Sequence, residues 1–360
     1  ANVGLTEMKY SGTNTALAAA DIVPNGDIRG RDMTVNSSAL TLGLSASPVD
    51  DTYVKGTSNV DAVGITFKAS AASALKVTDV TLTGYKGSAS GTGTIGSLGE
   101  LISSVALYDG ETGALLSSSP SSNNLGAAAG TVVFNGLAWN IPAGQTKTML
   151  VRVNLSTNEP AAAKDFFSFD IVNTTDVTAL DSSDSTINAG ATSVAPNGTT
   201  SPNVDVGVTS AGSLAVAAAP GTPTVKSIYW GQTGAEVSRF RFTATNEAFY
   251  LEDLTFEATD ATEVTDFKAN VKKVTMSYKN QAGTTLTAIS LPTSTGSVSF
   301  GLSGLGVNRP YVAKDSSMDV SLSYELKTRA EGATGDVAFS LDFDGGAGPV
   351  TDFKAIGAGS

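Results

Sequence analysis

Apolar and polar residues alternate along most of this chain. In RFRFTA and YLEDLTFEA the residues Phe240, Phe242, Leu251, Leu254 and Phe256 stand among polar neighbours, the period-two pattern of a strand with one buried face. The extra residue between Leu251 and Leu254 predicts a β-bulge. Similar runs, VALY, LLSS, TVVF, MLVRVNL and FSFDIV, follow one another with Gly, Asn, Asp or Pro between them. Asp109-Gly110 and Gln281-Ala282-Gly283 predict hairpin turns. No segment shows sustained helical periodicity. Short strands separated by turn signals predict an all-β fold of Ig-like or jelly-roll-type antiparallel β-sandwiches.

The pattern also repeats, and in the same order. Pro24-Asn25-Gly26 recurs as Pro196-Asn197-Gly198, leading into SSALTLGLSASP in one case and AGSLAVAAAPGTP in the other. VDAVGITFKASAASALKVTDVTLTGY lies over AEVSRFRFTATNEAFYLEDLTFEA, which sets Phe67 over Phe242 and Asp79 over Asp253. Val105 falls over Val274 and Phe134 over Phe300, and KDFFSFDIVNTTDVTAL matches GDVAFSLDFDGGAGPVTDF. Two homologous tandem domains are therefore expected. Their predicted extents are 24–190 and 191–360, with an N-terminal strand and connector over 1–23.

That N-terminal stretch has the layout of a unit's end. NVGLTEMKYSGTNTALAAADIVPNG runs strand, polar turn, small-residue connector and Pro-Asn-Gly, as does the region from DVTALDSSDS to Pro196-Asn197-Gly198. It reads as a surplus strand with Val3, Leu5 and Met8 as its apolar positions. Such a strand either pairs with an edge of its own first domain or crosses to a neighbouring subunit and adds to that sheet. The second route gives head-to-tail polymerisation, which makes a filament when the rotation does not close.

Composition narrows the function. The hydrophobic fraction of 41% over 360 residues is enough to bury a core in each domain, and the charged fraction is only 16%, below the roughly 25% usual for soluble domains. A net charge of -12 argues against binding a phosphate backbone, which needs clustered Lys and Arg. The chain contains neither Cys nor His, so disulfides, zinc thiolate sites and every His-dependent catalytic arrangement are excluded. Carboxylate dyads and Ser–Lys pairs have no local spacing that raises them above background, and an enzyme is not expected. No apolar run is long enough for a membrane span. A secreted protein with its leader removed, leaving Ala1, is the expected history.

Other motifs are weak. Gly91-Thr92-Gly93-Thr94-Ile95-Gly96 matches a dinucleotide fingerprint, but it sits in the low-complexity run KGSASGTGTIGSLG between strands, without the helix that must face the pyrophosphate. Asp342 and Asp344, or Asp181 and Asp184, are candidate calcium ligands, although no EF-hand or nonapeptide spacing is present; no other cofactor is expected. Four sequons make Asn36, Asn154, Asn173 and Asn197 candidate glycosylation acceptors. Trp139 and Trp230 read as core or interface anchors. Lysines are available for Lys–Asn isopeptide bonds, and the sequence does not pair them.

Segments such as GITFKASAASALKVTDVTL, SSVALYDGETGALL and TVVFNGLAWNIPAGQTKTMLVRVNL resemble the tandem sandwich domains of prokaryotic cell-surface proteins: S-layer-like, stalk and extracellular-filament subunits. The resemblance spans residues 30–356 and carries no functional residues across. It implies a secreted, self-associating structural protein of a pilus-like filament or surface array, with partners in its own copies, the cell envelope or surface glycans. No sorting signal, S-layer homology module or pilin-type N-terminal helix is visible. A monomeric adhesion or glycan-binding module, using loops 86–100 and 119–130, is the competing expectation.

Overall fold

The structure is a computed structural model, and it describes residues 37–87, 94–95, 98–120, 122–125, 130–160, 163–189, 204–223, 227–258, 260–343 and 353–358. It is all-β, with several mainly antiparallel sheets arranged as sandwiches. Two sheets and one apolar core lie between residues 40 and 209, and two further sheets with a second core follow it.

The first sheet of each unit has five strands in the same order. In the first unit these are Leu40–Leu44, Val60–Ala69, Thr146–Leu155, Ile102–Asp109 and Leu115–Ser117; in the second they are Ser213–Ala218, Ala235–Thr245, Ser317–Leu326, Val271–Lys279 and Thr285–Ser290. Loop contacts repeat as well. The amide of Ala69 donates to Gln145 O at 3.0 Å and that of Ala244 to Ser316 O at 3.0 Å; Leu155 N donates to Thr57 O at 2.8 Å and Leu326 N to Gln232 O at 2.9 Å. Gly56 N reaches Ser156 O and Gly231 N reaches Lys327 O, with both glycines at positive φ. The alternation in the sequence is read out directly: Phe67 and Phe242 point into their cores and are fully buried.

The second sheet is built on one long strand, Leu75–Gly87 in the first unit and Phe249–Glu257 in the second. On one side it pairs with Thr131–Phe134 and Trp139–Ile141, or with Ser297–Gly301 and Tyr311–Val312. Phe134 stands opposite Val80 and Phe300 opposite Leu254. On the other side runs a broken strand, Lys164–Asp170 continuing as Val177–Leu180, matched by the Glu257–Asp342 bridge continuing as Phe353–Gly357. The predicted bulge is present: the register skips Glu252 between Leu251 and Asp253, and skips Thr78 between Val77 and Asp79. Both hairpin turns also form, closed by Asp109 N to Ala114 O and Asn280 N to Thr284 O.

Two features depart from expectation. A helix forms over Ala261–Asn270, capped by Asp260, whose carboxylate accepts from the amides of Thr262 and Glu263. Only Phe267 and Asn270 are buried on it, a stripe too short to register as periodicity. It occupies the place of the Gly/Ser-rich loop of the first unit, where the glycine fingerprint contributes only the two-residue strand Thr94–Ile95. The second departure concerns the boundary at 190/191. Strand Val206–Thr209, beyond it in sequence, is hydrogen-bonded into the first unit's second sheet.

Candidate assembly site

Strand Val206–Thr209 lies between two others. It runs antiparallel to Lys164–Phe167, with Val206 opposite Phe167 and Thr209 opposite Lys164, and parallel to Asp51–Val54. Val206 and Val208 turn into the core and are each 1% exposed. Gly207 turns the other way, where a Cβ would sit 2.8 Å from Thr52 Oγ1, 3.1 Å from Lys164 Cδ and 3.4 Å from Phe166 Cε1; glycine is there because the two flanking strands close over it. Lys55 N donates to Thr209 O at 2.9 Å and Asp205 N to Asp50 Oδ1 at 2.9 Å. Four residues beyond Thr209 the chain enters the first strand of the second unit. The lead-in to one unit thus completes the sheet of the unit before it.

Charged groups tie the two units together at this end. Lys314 Nζ stands 2.5 Å from Asp51 Oδ1, 2.9 Å from Asp315 Oδ2 and 4.4 Å from the centroid of the Tyr53 ring. Asp315 also accepts from Asn246 N at 2.8 Å. Burial, then the hydrogen bond to Asp51 and the surrounding carboxylates, push the Tyr53 phenol above its ordinary range. A cleft lined by Asp50, Asp51, Thr52, Phe166, Asp205 and Asn246 opens beside the contact.

A second polar cluster is internal to the first unit. Asp109, 4% exposed, accepts from Trp139 Nε1 at 2.7 Å, Lys147 Nζ at 3.0 Å and the amides of Glu111 and Thr112 at 3.0 Å each. Burial opposes its ionisation, but these donors outweigh it and hold the carboxyl far below the usual range. Trp139 packs edge-on against Phe67 with ring centroids 5.2 Å apart. The cluster pins a hairpin turn to the core. Its counterpart in the second unit is Asn280, whose side chain accepts from Thr284 N.

The other sequence candidates are dispersed. Val3, Leu5, Met8, Asn36, Asn197 and Asp344 lie outside the described residues. Asn154 sits mid-strand, accepting from Asn59 N and donating to Ser104 Oγ. Asn173 caps a short turn and bonds Asp176. Asp342 is exposed and accepts from Phe343 N, while Asp181 accepts from the amides of Ser183 and Ser185 in a turn. Among the described residues no three acidic groups converge as a metal site, and no helix is long and apolar enough to cross a membrane. Trp139 is a core anchor, whereas Trp230 is 43% exposed beneath the Arg329 guanidinium. Sequence reading missed the inserted strand because Val206–Thr209 is four residues long and follows a connector; its Val-Gly-Val alternation was the signal.

No family model matches the chain, and no curated protein matches it. Solved structures that resemble it include the C-terminal domain of the Streptococcus agalactiae AgI/II polypeptide BspA, at 9% identity and a TM-score of 0.20, covering 80% of this chain and 91% of that one. The B domain of a biofilm-associated protein also matches at 9% identity and a TM-score of 0.20, covering 83% and 75%. The full-length pilus protein RrgB of Streptococcus pneumoniae matches at 9% identity and a TM-score of 0.18, covering 81% and 37%. Superposition at this level carries no functional argument.

Proposed function

We propose that the chain is a structural subunit of an extracellular, cell-surface assembly in which sandwich units join head to tail by strand addition. The observation that carries the reading is strand Val206–Thr209, which leads into one unit while completing the sheet of another. Strand addition supplies main-chain hydrogen bonds on both edges, and alternate side chains enter the core. The joint needs no prosthetic group and no reaction, so the reading is non-enzymatic. A bland surface with a 16% charged fraction suits close packing of neighbouring copies.

The test is sedimentation velocity and negative-stain microscopy of the full chain over a hundredfold concentration range. Linear oligomers that lengthen with concentration are the expected result. A chain that stays monomeric throughout and retains a glycan or host protein is instead a binding module.

A further inference from the structure

The second unit contains the place that Val206–Thr209 fills in the first, and among the described residues no strand pairs there. The repeat fixes its two walls. Gly56 and Gly231 make equivalent bonds, so Thr52, Tyr53 and Val54 correspond to Ser227, Ile228 and Tyr229. Asp170, opposite Thr83, corresponds to Asp342, opposite Glu257, so Lys164, Asp165, Phe166 and Phe167 correspond to Asp336, Val337, Ala338 and Phe339. These two segments line one groove: Ile228, Tyr229 and Trp230 on one side, Asp336, Val337 and Phe339 on the other. It is open, with Tyr229 72%, Trp230 43% and Val337 38% exposed, and mixed in character: Asn270, Thr334 and Asp336 also line it, and the Trp230 indole N–H donates to Thr334 O at 3.3 Å at one end. In the filled unit the counterpart of Val337, Asp165, is 3% exposed.

We infer that this groove is an acceptor for residues 32–36, Asp32-Met33-Thr34-Val35-Asn36, of a second copy of the chain. The inference rests on the assembly reading above and names its joint. Aligned on Asp32 and Asp205, RDMTVN matches the alternation of VDVGVT, with one residue fewer before the opening strand, where Leu40 pairs with Ala69 as Leu214 pairs with Ala244; this alignment places Met33 and Val35 where Val206 and Val208 enter the core. Thr34 falls at the position of Gly207. The walls change to match: Thr52, Lys164 and Phe166, which exclude a Cβ at Gly207, are replaced by the smaller Ser227, Asp336 and Ala338. A side chain is accommodated in the second unit where the first has room for none.

The occupant must come from another molecule. Ser38 bonds Asp181 at the end of the first unit remote from the junction, and six residues of chain reach at most about 20 Å from there. The groove lies beyond the far end of Ala235–Thr245, two strand lengths of roughly 35 Å away. Each copy thus offers a donor at one end and an acceptor at the other, a heterologous contact that propagates.

The chain has no cysteine, so disulfide trapping is unambiguous. Thr34 stands opposite Ala338 in the proposed register, as Gly207 stands opposite Phe166. Full-length Thr34→Cys and Ala338→Cys are mixed under mild oxidation, with exposed Thr287→Cys as the off-site control. A disulfide-linked dimer from the first pair and none from Thr34→Cys with Thr287→Cys is the expected result. Adding Val35→Asp to the donor should cut the yield roughly tenfold or more, the factor set by 1.4 kcal/mol. If the unmodified chain forms oligomers but Thr34→Cys and Ala338→Cys do not link, this joint is wrong and the assembly reading survives. If the unmodified chain is monomeric at every concentration, both readings fall.

Discussion

The two units share their five-stranded sheet strand for strand, and differ most at one edge of the other sheet. In the first, Lys164–Asp170 is a full strand, with Val206–Thr209 and Asp51–Val54 beyond it. In the second the corresponding stretch is reduced to a single bridge between Glu257 and Asp342, and a groove with exposed aromatic residues remains beside it. A short strand owes its order to partners on both edges, since alone it buries too little to offset its conformational entropy. The same sequence pattern therefore gives a finished sheet in one context and a receptive one in another.

The sharpest way to break this comparison is to spoil the filled edge. Val208→Asp places a carboxylate at a position 1% exposed with no partner for it, a loss of about 4 kcal/mol or more. Two transitions are expected in calorimetry of the full chain. The first unit's should fall by roughly 10 °C while the second's stays in place. Movement of both together would mean that the units melt as one body, and no movement would mean that the strand is dispensable.

The hairpin turns give a smaller contrast. Asp109→Ala leaves the Trp139 indole N–H and the Lys147 ammonium without their buried acceptor, and should cost the first unit about 3 kcal/mol. Asn280→Ala, which removes a bond to Thr284 N, should cost the second about 1 kcal/mol. The pH dependence has a definite sign. Asp109 titrates lower in the folded state, so its contribution is complete above the unfolded pKa of about 3.9 and is lost as pH falls towards the folded value. Between pH 7 and pH 2 the gap between the first-unit melting temperatures of unmodified protein and Asp109→Ala should narrow. A gap that is constant with pH would show that the carboxylate is not the group being lost.

Much of this architecture was legible in the alternation of residues. Phe67 and Phe242, the bulge between Leu251 and Leu254, both hairpin turns and the equivalence of Phe134 and Phe300 all follow from period two and from repeat order. Local rules decide those features. The helix at Ala261–Asn270 was not legible, because one buried turn around Phe267 gives no sustained stripe and its N-cap, Asp260, is one acidic residue among many. The inserted strand was not legible for another reason. Its role depends on Lys164–Phe167 and Asp51–Val54, segments remote in sequence, so only the folded pairing shows that it joins the first unit's sheet. The Tyr229–Trp230 groove became interpretable only once that pairing was known.

Junction chemistry separates the two joints further. Within the chain the units meet through Lys314 and Asp51, but the turn Pro142-Ala143-Gly144-Gln145 takes the place of Ala313-Lys314-Asp315-Ser316 in the first unit, as the matched Gln145 and Ser316 bonds show. A copy-to-copy joint would therefore present Ala143 where the internal one has a cation. The Lys314 pair is partly exposed, with side chains 24% and 37% accessible, so Lys314→Ala should change stability by no more than about 0.5 kcal/mol. It should leave the sedimentation of oligomers unchanged. Association weakened as much as by Val35→Asp would place the polar junction, not the groove, at the contact between copies.

The smallest effect is expected at the N-terminus. Residues LTEM at 5–8 match VTAL at 177–180 when the two Pro-Asn-Gly sequences are aligned. The counterpart of Val177–Leu180 in the second unit is Phe353–Gly357, already paired with Phe249–Leu254 through the same bulged register. A donated strand of this type would find its position taken, whereas one of the Met33–Val35 type finds an open groove. Leu5→Asp should accordingly leave both the oligomer distribution and the melting temperatures within error of the unmodified chain. A selective loss of association would identify residues 1–12, with Val3, Leu5 and Met8, as the donated strand. A loss of first-unit stability would instead show that the stretch pairs at home.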